Sequence, residues 1–224
     1  MTWLCRFLNS SIMKKQLMAL TGLLLIGFCL SHLLGNVLIV VSADAFNIYA
    51  HTLTSNPLIY VAEAGLAALF LAHLAIAIRL TVENKKARGS AYEMKTNSGQ
   101  GSTFASSTMI YTGAIILVFL VLHILQFKFG PVYMTQIDGV EMRDLHKTVM
   151  EYFQGHLNTL WYVVAMICLG IHLSHGFSSA FQSLGLNHKK YNCALKCGGK
   201  LLAGFLAAGF SFLAIWAHVK GMSV

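Results

Sequence analysis

The sequence predicts an all-α integral membrane protein: one domain over residues 1–224, a bundle of five transmembrane helices with the N-terminus cytoplasmic and the C-terminus outside. Three observations predict it. Hydrophobic residues make up 56% of the 224, and Asp, Glu, Lys and Arg only 11%, against about 25% in an ordinary soluble domain. Mean hydropathy is +0.65, so the chain cannot clothe itself in polar side chains and must have lipid as its main solvent. The apolar residues also fall into five runs of about 20, the length that crosses a hydrocarbon core. Disorder, a secreted disulfide scaffold and a free nucleic-acid-binding domain are excluded on this balance, despite a formal charge of +8.

The runs are Leu17–Val41, Leu58–Leu80, Met109–Phe127, Leu160–Phe181 and Leu201–Val219. The first follows Lys14-Lys15 and precedes Ala43-Asp44-Ala45, which imitates a signal peptide with its cleavage site. It is much longer than an h-region of about 7–15 residues and carries His32 and Asn36, so it reads as a retained span. Basic residues set the orientation. A cytoplasmic N-terminus places twelve of them inside (Arg6, Lys14, Lys15, Arg79, Lys85, Lys86, Arg88, Lys95, Lys189, Lys190, Lys196 and Lys200) and four outside (Lys128, Arg143, Lys147 and Lys220). That bias obeys the positive-inside rule.

The connections differ in kind. Residues 83–107 read as a basic, then Ser/Gly/Thr-rich cytoplasmic loop. Residues 128–158 read as an outer connection, in which Leu145, Val149 and Tyr152-Phe153 recur at helical spacing and predict a short interfacial helix. The five cysteines (Cys5, Cys29, Cys168, Cys193 and Cys197) have no framework spacing. Cys193 and Cys197 with His188 could be drawn as a metal site, but Lys189, Lys190, Lys196 and Lys200 surround them and disfavour one.

Ionisable residues inside a bilayer are costly and mark function by default. Of ten histidines, four lie deep in spans, one in each of the first four: His32, His73, His123 and His172. At about 1.5 Å per residue, His32 and His123 lie roughly 22 and 21 Å along helices that start inside. His73 and His172 lie roughly 22 and 18 Å along helices that start outside. In a core of about 30 Å this gives an outer pair, His32 with His123, and an inner pair, His73 with His172.

A single zinc would want four ligands at one level, and a proton relay would bring carboxylates alongside the histidines. Haem fits better, since its iron takes one axial ligand on each face. Small residues flank the histidines (Gly35, Ala72 and Gly176), leaving room for a flat ring or for close helix packing. An internal echo supports two equivalent sites: Thr21-Gly22, nine residues, then His32, matched by Thr112-Gly113, nine residues, then His123. No Cys-x-x-Cys-His motif is present for covalent attachment, so the haems expected are of b type.

With Thr21-Gly22-Leu23-Leu24-Leu25 leading to Ser31-His32, Ala72-His73 with Arg79 six residues on, Thr112-Gly113 leading to His123, and His172-Leu173-Ser174-His175-Gly176, the sequence resembles a known family over nearly its whole length. The family is that of the five-helix, di-haem cytochrome b membrane anchors of succinate dehydrogenases and quinol:fumarate reductases. The resemblance implies two haem b groups, the distal one held by His32 and His123 and the proximal one by His73 and His172. In the fourth span, the family pattern of His, three residues and Gly selects His172 over His175. It also implies an iron–sulfur subunit and a flavoprotein subunit on the cytoplasmic face, menaquinone or ubiquinone as substrate, and the bacterial cytoplasmic (inner) membrane as location. One departure stands out: some members carry Glu two residues before the fourth-span ligand, where this chain has Gly170.

No dicarboxylate site, flavin motif or four-cysteine cluster motif is present, so this chain would be the electron-transfer and quinone-reactive subunit. Glu63, embedded five residues into the second span, is the candidate for quinone proton exchange. Arg79 either snorkels to headgroups or contacts a propionate of the inner haem. His175, His51, His146 and His156 read mainly as structural or solvated, His188 and His218 as solvated, and Trp161, Trp216 and Tyr60 as interfacial anchors. Ala203, Ala207 and Ser211 predict close helix packing of the fifth span. Two rival readings are a cytochrome b subunit of another respiratory complex, such as a hydrogenase or formate dehydrogenase, and a haem-free transporter with histidine relays.

Overall fold

A computed structural model describes Phe7, residues 10–88 and residues 104–222 of the chain. Its elements are α1 (Ser11–Asn36), α2 (Leu38–Val41), α3 (Ala43–Ser55), α4 (Leu58–Arg88), α5 (Phe104–Ser107), α6 (Met109–Phe127), β1 (Met134–Ile137), β2 (Val140–Arg143), α7 (Leu145–Phe153), α8 (His156–Ser183) and α9 (Asn192–Gly221). Five helical stretches are long and apolar enough to cross a bilayer: Ser11–Val41, Leu58–Ala87, Met109–Phe127, His156–Ser183 and Asn192–Gly221. The fold is a multi-pass membrane bundle. Most of the expected 83–107 connection, with Cys5, Arg6 and Lys95, lies outside the described residues.

The first two spans begin at side chains that satisfy loose backbone N–H groups. Ser10 caps α1 by accepting from the Met13 N–H at 3.2 Å, so the helix starts six residues before the apolar run. Asn56 Oδ1 accepts from the Leu58 N–H at 3.0 Å, with Pro57 entering the helix where no N–H is needed. At the other end α4 continues past its apolar stretch because Glu83 is neutralised there. Its carboxylate takes Lys14 Nζ at 2.5 and 2.6 Å and Arg79 Nε at 3.1 Å. Lys14 is thereby buried, while Glu83, its counter-charge, stays half-exposed.

α8 and α9 form the closest helix pair, and small residues explain it. A Cβ on Gly170 would meet Ala207 Cβ at 2.9 Å, and one on Gly199 would meet the Phe177 ring at 2.8 Å. Glutamate at position 170 would collide with α9, so Gly170 serves packing here. Leu33, Leu173, Ala203 and Leu206 form one buried cluster; Phe153, Tyr162, Ala214 and Ala217 form a second nearer the hairpin. Trp161 and Trp216, near span ends, pack partly buried against the second cluster, while Tyr60 is 70% exposed. α4 packs chiefly on α1 and leaves its apolar surface outward, as a lipid-facing helix does.

The hairpin end of the bundle is more structured than the sequence reading expected. Asp138 and Gly139 both have positive φ, 52° and 80°, the signature of a two-residue hairpin turn joining Ile137 to Val140. The expected interfacial helix is α7, capped by Asp144, which accepts from the Lys147 N–H at 2.9 Å. α3 was not anticipated. Its Asn47, only 2% exposed, donates to Asp144 Oδ1 and accepts from the His146 N–H, both at 2.9 Å. One buried amide thus ties α3 to the first turn of α7.

Candidate functional site

The four deep histidines meet as two pairs inside the bundle. His32 of α1 faces His123 of α6, with ring centroids 5.9 Å apart and planes at 87°. His73 of α4 faces His172 of α8, with centroids 6.5 Å apart and planes at 62°. All four rings are half-buried. The 73–172 pair sits at the level of Thr21, and the eleven residues from Thr21 to His32 separate the levels by about 16 Å along α1. The 32–123 pair is the one nearer the hairpin.

Hydrogen bonds fix which nitrogen each ring presents. Thr21 Oγ1 lies 2.8 Å from the Leu17 carbonyl and 3.1 Å from that of Met18. Carbonyls only accept, so the hydroxyl hydrogen goes to them, and the oxygen accepts from His73 Nδ1 at 3.1 Å. Thr112 repeats this on His172. Its hydroxyl reaches the Thr108 and Met109 carbonyls at 3.1 and 3.2 Å and accepts from Nδ1 at 3.2 Å. In the other pair, Tyr162 donates to Gln126 Oε1 at 3.1 Å and so accepts from His123 Nδ1 at 3.1 Å. Three rings therefore carry the proton on Nδ1 and leave the Nε2 lone pair for a ligand bond, the arrangement typical of metal-bound histidine. Around His32 and His123 the pocket is aromatic: Phe28 stacks on His32 at 5.3 Å, Phe210 lies 5.9 Å from it, and Phe119 stacks on His123 at 5.5 Å.

This donor set suits a metal that brings its own equatorial ligands. Two metal–nitrogen bonds of about 2 Å, with the ring radius added at both ends, span about 6 Å, close to both centroid separations. Among the described residues no three His, Cys, Asp or Glu side chains gather to hold a metal ion; each pair brings together two histidine rings and no further ligand of those types. His32 and His123 would hold one haem, His73 and His172 the other.

Several small residues serve ends other than those expected. Gly22 and Gly113 lie against the inner rings: a Cβ on either would meet Cε1 of His73 or His172 at 3.5 Å. The Thr-Gly echo therefore acts across the bundle, on the pair at its own level, rather than on the histidine further along its own helix. Gly35 makes room for Tyr49 of α3, whose ring would lie 2.7 Å from an added Cβ. Beside Gly176 the space is open.

The remaining candidates are placed as follows. Glu63 is half-exposed and ion-paired with Lys128 just beyond the end of α6, a partner the sequence reading did not supply. Arg79 lies on Glu83. His175 is half-buried one turn beyond His172. His218 is not simply solvated: its Nδ1 donates to the Phe153 carbonyl at 2.6 Å, and its Nε2 lies 3.0 Å from His156 Nδ1. His188 stacks on Tyr191 and accepts from the Lys190 N–H at 3.2 Å. The described cysteines, Cys29, Cys168, Cys193 and Cys197, are free thiols.

At the hairpin end a half-open cavity of about 250 Å³ is lined by Gln126, Pro131, Tyr133, Thr148, Glu151 and Tyr152. A hydrogen bond to Glu151, more than desolvation, pushes the Tyr133 phenol above its ordinary pKa. Burial raises Tyr152 as well, against a smaller opposing contribution from its hydrogen bond with Gln126. Gln126 also accepts from Tyr162, so the cavity wall connects through Gln126 and Tyr162 to His123.

Comparison with protein-family models, curated proteins and solved structures finds no match. What the fold and geometry define is a five-helix membrane bundle with two internal histidine pairs.

Proposed function

We propose that this chain is the di-haem cytochrome b membrane anchor of a succinate:quinone oxidoreductase, a succinate dehydrogenase or a quinol:fumarate reductase of the bacterial cytoplasmic membrane. The observation that carries the reading is the pair of facing histidine couples at two depths, each with ring centroids about 6 Å apart. The sequence resemblance adds the complex. In this reading the lysine-rich end of the bundle, with Lys14, Lys15, Lys189, Lys190, Lys196 and Lys200, is cytoplasmic. It docks the iron–sulfur subunit and, through it, the flavoprotein subunit that acts on the dicarboxylate. The chain conveys electrons between that partner and menaquinone or ubiquinone in the membrane.

Haem, when bound, supplies one-electron redox chemistry within the bilayer. The protein's own part is ligation, orientation and proton handling. His73 and His172 offer Nε2 at the inner level, His32 and His123 the imidazoles at the outer level. Phe28, Phe119 and Phe210 pack around the outer pair and hold its rings in place. At the outer face, Glu63 with Lys128 and the Tyr133–Glu151 couple at the cavity are the groups able to exchange protons with a quinone.

A reduced-minus-oxidised spectrum of the purified protein, with a haem-to-chain ratio, tests this. The expected result is about two haems b per chain, both released by acidified acetone, with flavoprotein and iron–sulfur subunits co-purifying. A colourless protein overturns the reading in favour of a histidine-relay transporter. Hydrogenase or formate dehydrogenase subunits in the preparation assign the chain to another complex.

A further inference from the structure

We infer that Thr21 and Thr112 are positioning residues that set the electronic character of the inner haem ligands, His73 and His172. The inference rests on the haem reading above and adds to it two residues that touch neither the iron nor a substrate. The observation is a duplicated clamp. On α1 and on α6, consecutive Thr and Gly residues meet a histidine on a neighbouring helix in the same way. Both hydroxyl oxygens take Nδ1, at 3.1 and 3.2 Å, and both glycines lie against Cε1, where an added Cβ would come to 3.5 Å. The glycine lets the ring approach the helix; the threonine oxygen then takes the ring N–H, which at His172 is shared with the Met109 carbonyl. Thr21 and Thr112 are themselves buried, at 8% and 5% exposure, so water does not compete for that bond.

The chemical consequence follows from where the hydroxyl hydrogen points. With that hydrogen on the helix carbonyls four and three residues back, each oxygen can only accept from the ring. Acceptance at Nδ1–H fixes the tautomer, holds the ring's rotation about its Cβ–Cγ bond and makes Nε2 more basic. A more basic axial nitrogen favours ferric over ferrous iron. Two such bonds act on the same site, one on each axial ligand. At the outer level the acceptor for His123 is Tyr162, and the near neighbour of the His32 ring is the Asn36 amide nitrogen, a donor, at 3.4 Å. The clamp thus belongs to the inner pair.

The test uses the intact, haem-loaded complex with Thr21→Val and Thr112→Val, which keep the side-chain shape and remove the oxygen, and with Thr21→Ser and Thr112→Ser, which keep the hydroxyl. Loss of an outer-shell partner typically changes metal affinity about 10–100-fold. A tenfold loss confined to the ferric state raises a one-electron potential by about 59 mV. Thr21→Val should raise the potential of the inner haem by about that much and Thr112→Val by less, because the Met109 carbonyl still accepts from His172; the outer haem should stay unmoved and the Ser variants near the native value. Infrared difference spectra of native protein carrying ¹⁵N-imidazole histidine should show both inner Nδ1–H groups hydrogen-bonded. Val variants that lose the inner haem while Ser variants retain it at native potential also support the role. An unmoved inner potential in loaded Val variants, Ser variants that shift as far as Val, or a free Nδ1–H in native protein overturns it. A preparation without haem overturns the parent reading instead, and is recognised before any titration.

Discussion

Tyr162→Phe removes one oxygen from the outer level and isolates a single hydrogen-bond relay. The native hydroxyl accepts from His123 Nδ1 and donates to Gln126 Oε1, both at 3.1 Å. Tyr162 is 7% exposed and ringed by Phe119, Phe127 and Phe153 at 4.9, 6.2 and 4.8 Å. Phenylalanine keeps those ring contacts, so no cavity opens. The cost is that of two buried polar groups losing a partner, about 1–3 kcal/mol each. Gln126 keeps Tyr152, so the total should fall near the lower end, about 2–3 kcal/mol. The ligand effect is separate: His123 loses the acceptor that fixes its tautomer, which should weaken the outer haem about tenfold or more, or about 1.4 kcal/mol. The assay is haem retention during graded detergent and heat challenge, with a redox titration resolving the two haems. The outer haem should leave first and its potential should rise. The inner haem, about 16 Å away along α1, should not move. Equal loss of both haems, or an outer haem indistinguishable from native, refutes the relay.

Two further outcomes follow from the same geometry. His172→Ala should abolish the inner haem while His175→Ala retains it, because His172 is the ring that faces His73 at 6.5 Å; pyridine haemochrome content decides, and the reverse result exchanges their roles. Glu63→Gln should leave both haems in place and slow quinol-linked turnover several-fold, with dye-linked succinate or fumarate activity unchanged. Full quinol activity in that variant shifts the proton-exchanging role to the Tyr133–Glu151 couple at the cavity.

What the sequence displayed most openly is what depends on one dimension. The apolar runs located all five spans, and the third agrees with α6 at both ends. The others extend further because helices continue into polar flanks that a hydropathy window discounts, as Ser10 and Glu83 show. Rise per residue matched His32 with His123 and His73 with His172, and those are the rings that face each other. Side-chain partners across the bundle depend on helix rotation and neighbour identity, which counting along one helix cannot provide. Thr21, Thr112 and Tyr162 were therefore invisible as ring partners, and Lys128 as the partner of Glu63. The Asp138-Gly139 turn was a different kind of omission, since that dipeptide between apolar residues is itself a hairpin signal. α3 had its own local cues, Ser42 capping it through the Ala45 N–H and Asp44 in its first turn, but its anchor, Asn47, bonds to residues nearly a hundred positions away.

The eleven-residue spacing between Thr21 and His32, repeated between Thr112 and His123, explains how one bundle can furnish two levels at once. At 3.6 residues per turn, eleven residues make just over three turns, so both members point within roughly 20° of the same direction. α1 and α6 therefore face the bundle interior with one stripe that holds an outer histidine and, three turns away, a clamp for an inner one. α4 and α8 supply the inner rings those clamps receive. A slip of one residue in α1 would rotate both groups by about 100°, removing an outer imidazole and an inner acceptor together. The two levels are consequently not independent insertions into a generic bundle, because the register of the first and third spans is fixed by both. Glu63, ten residues before His73, is rotated by roughly 80° from that histidine, and its salt bridge to Lys128 lies off the stripe. The carboxylate is thus separated from the inner pair by rotation as well as by depth.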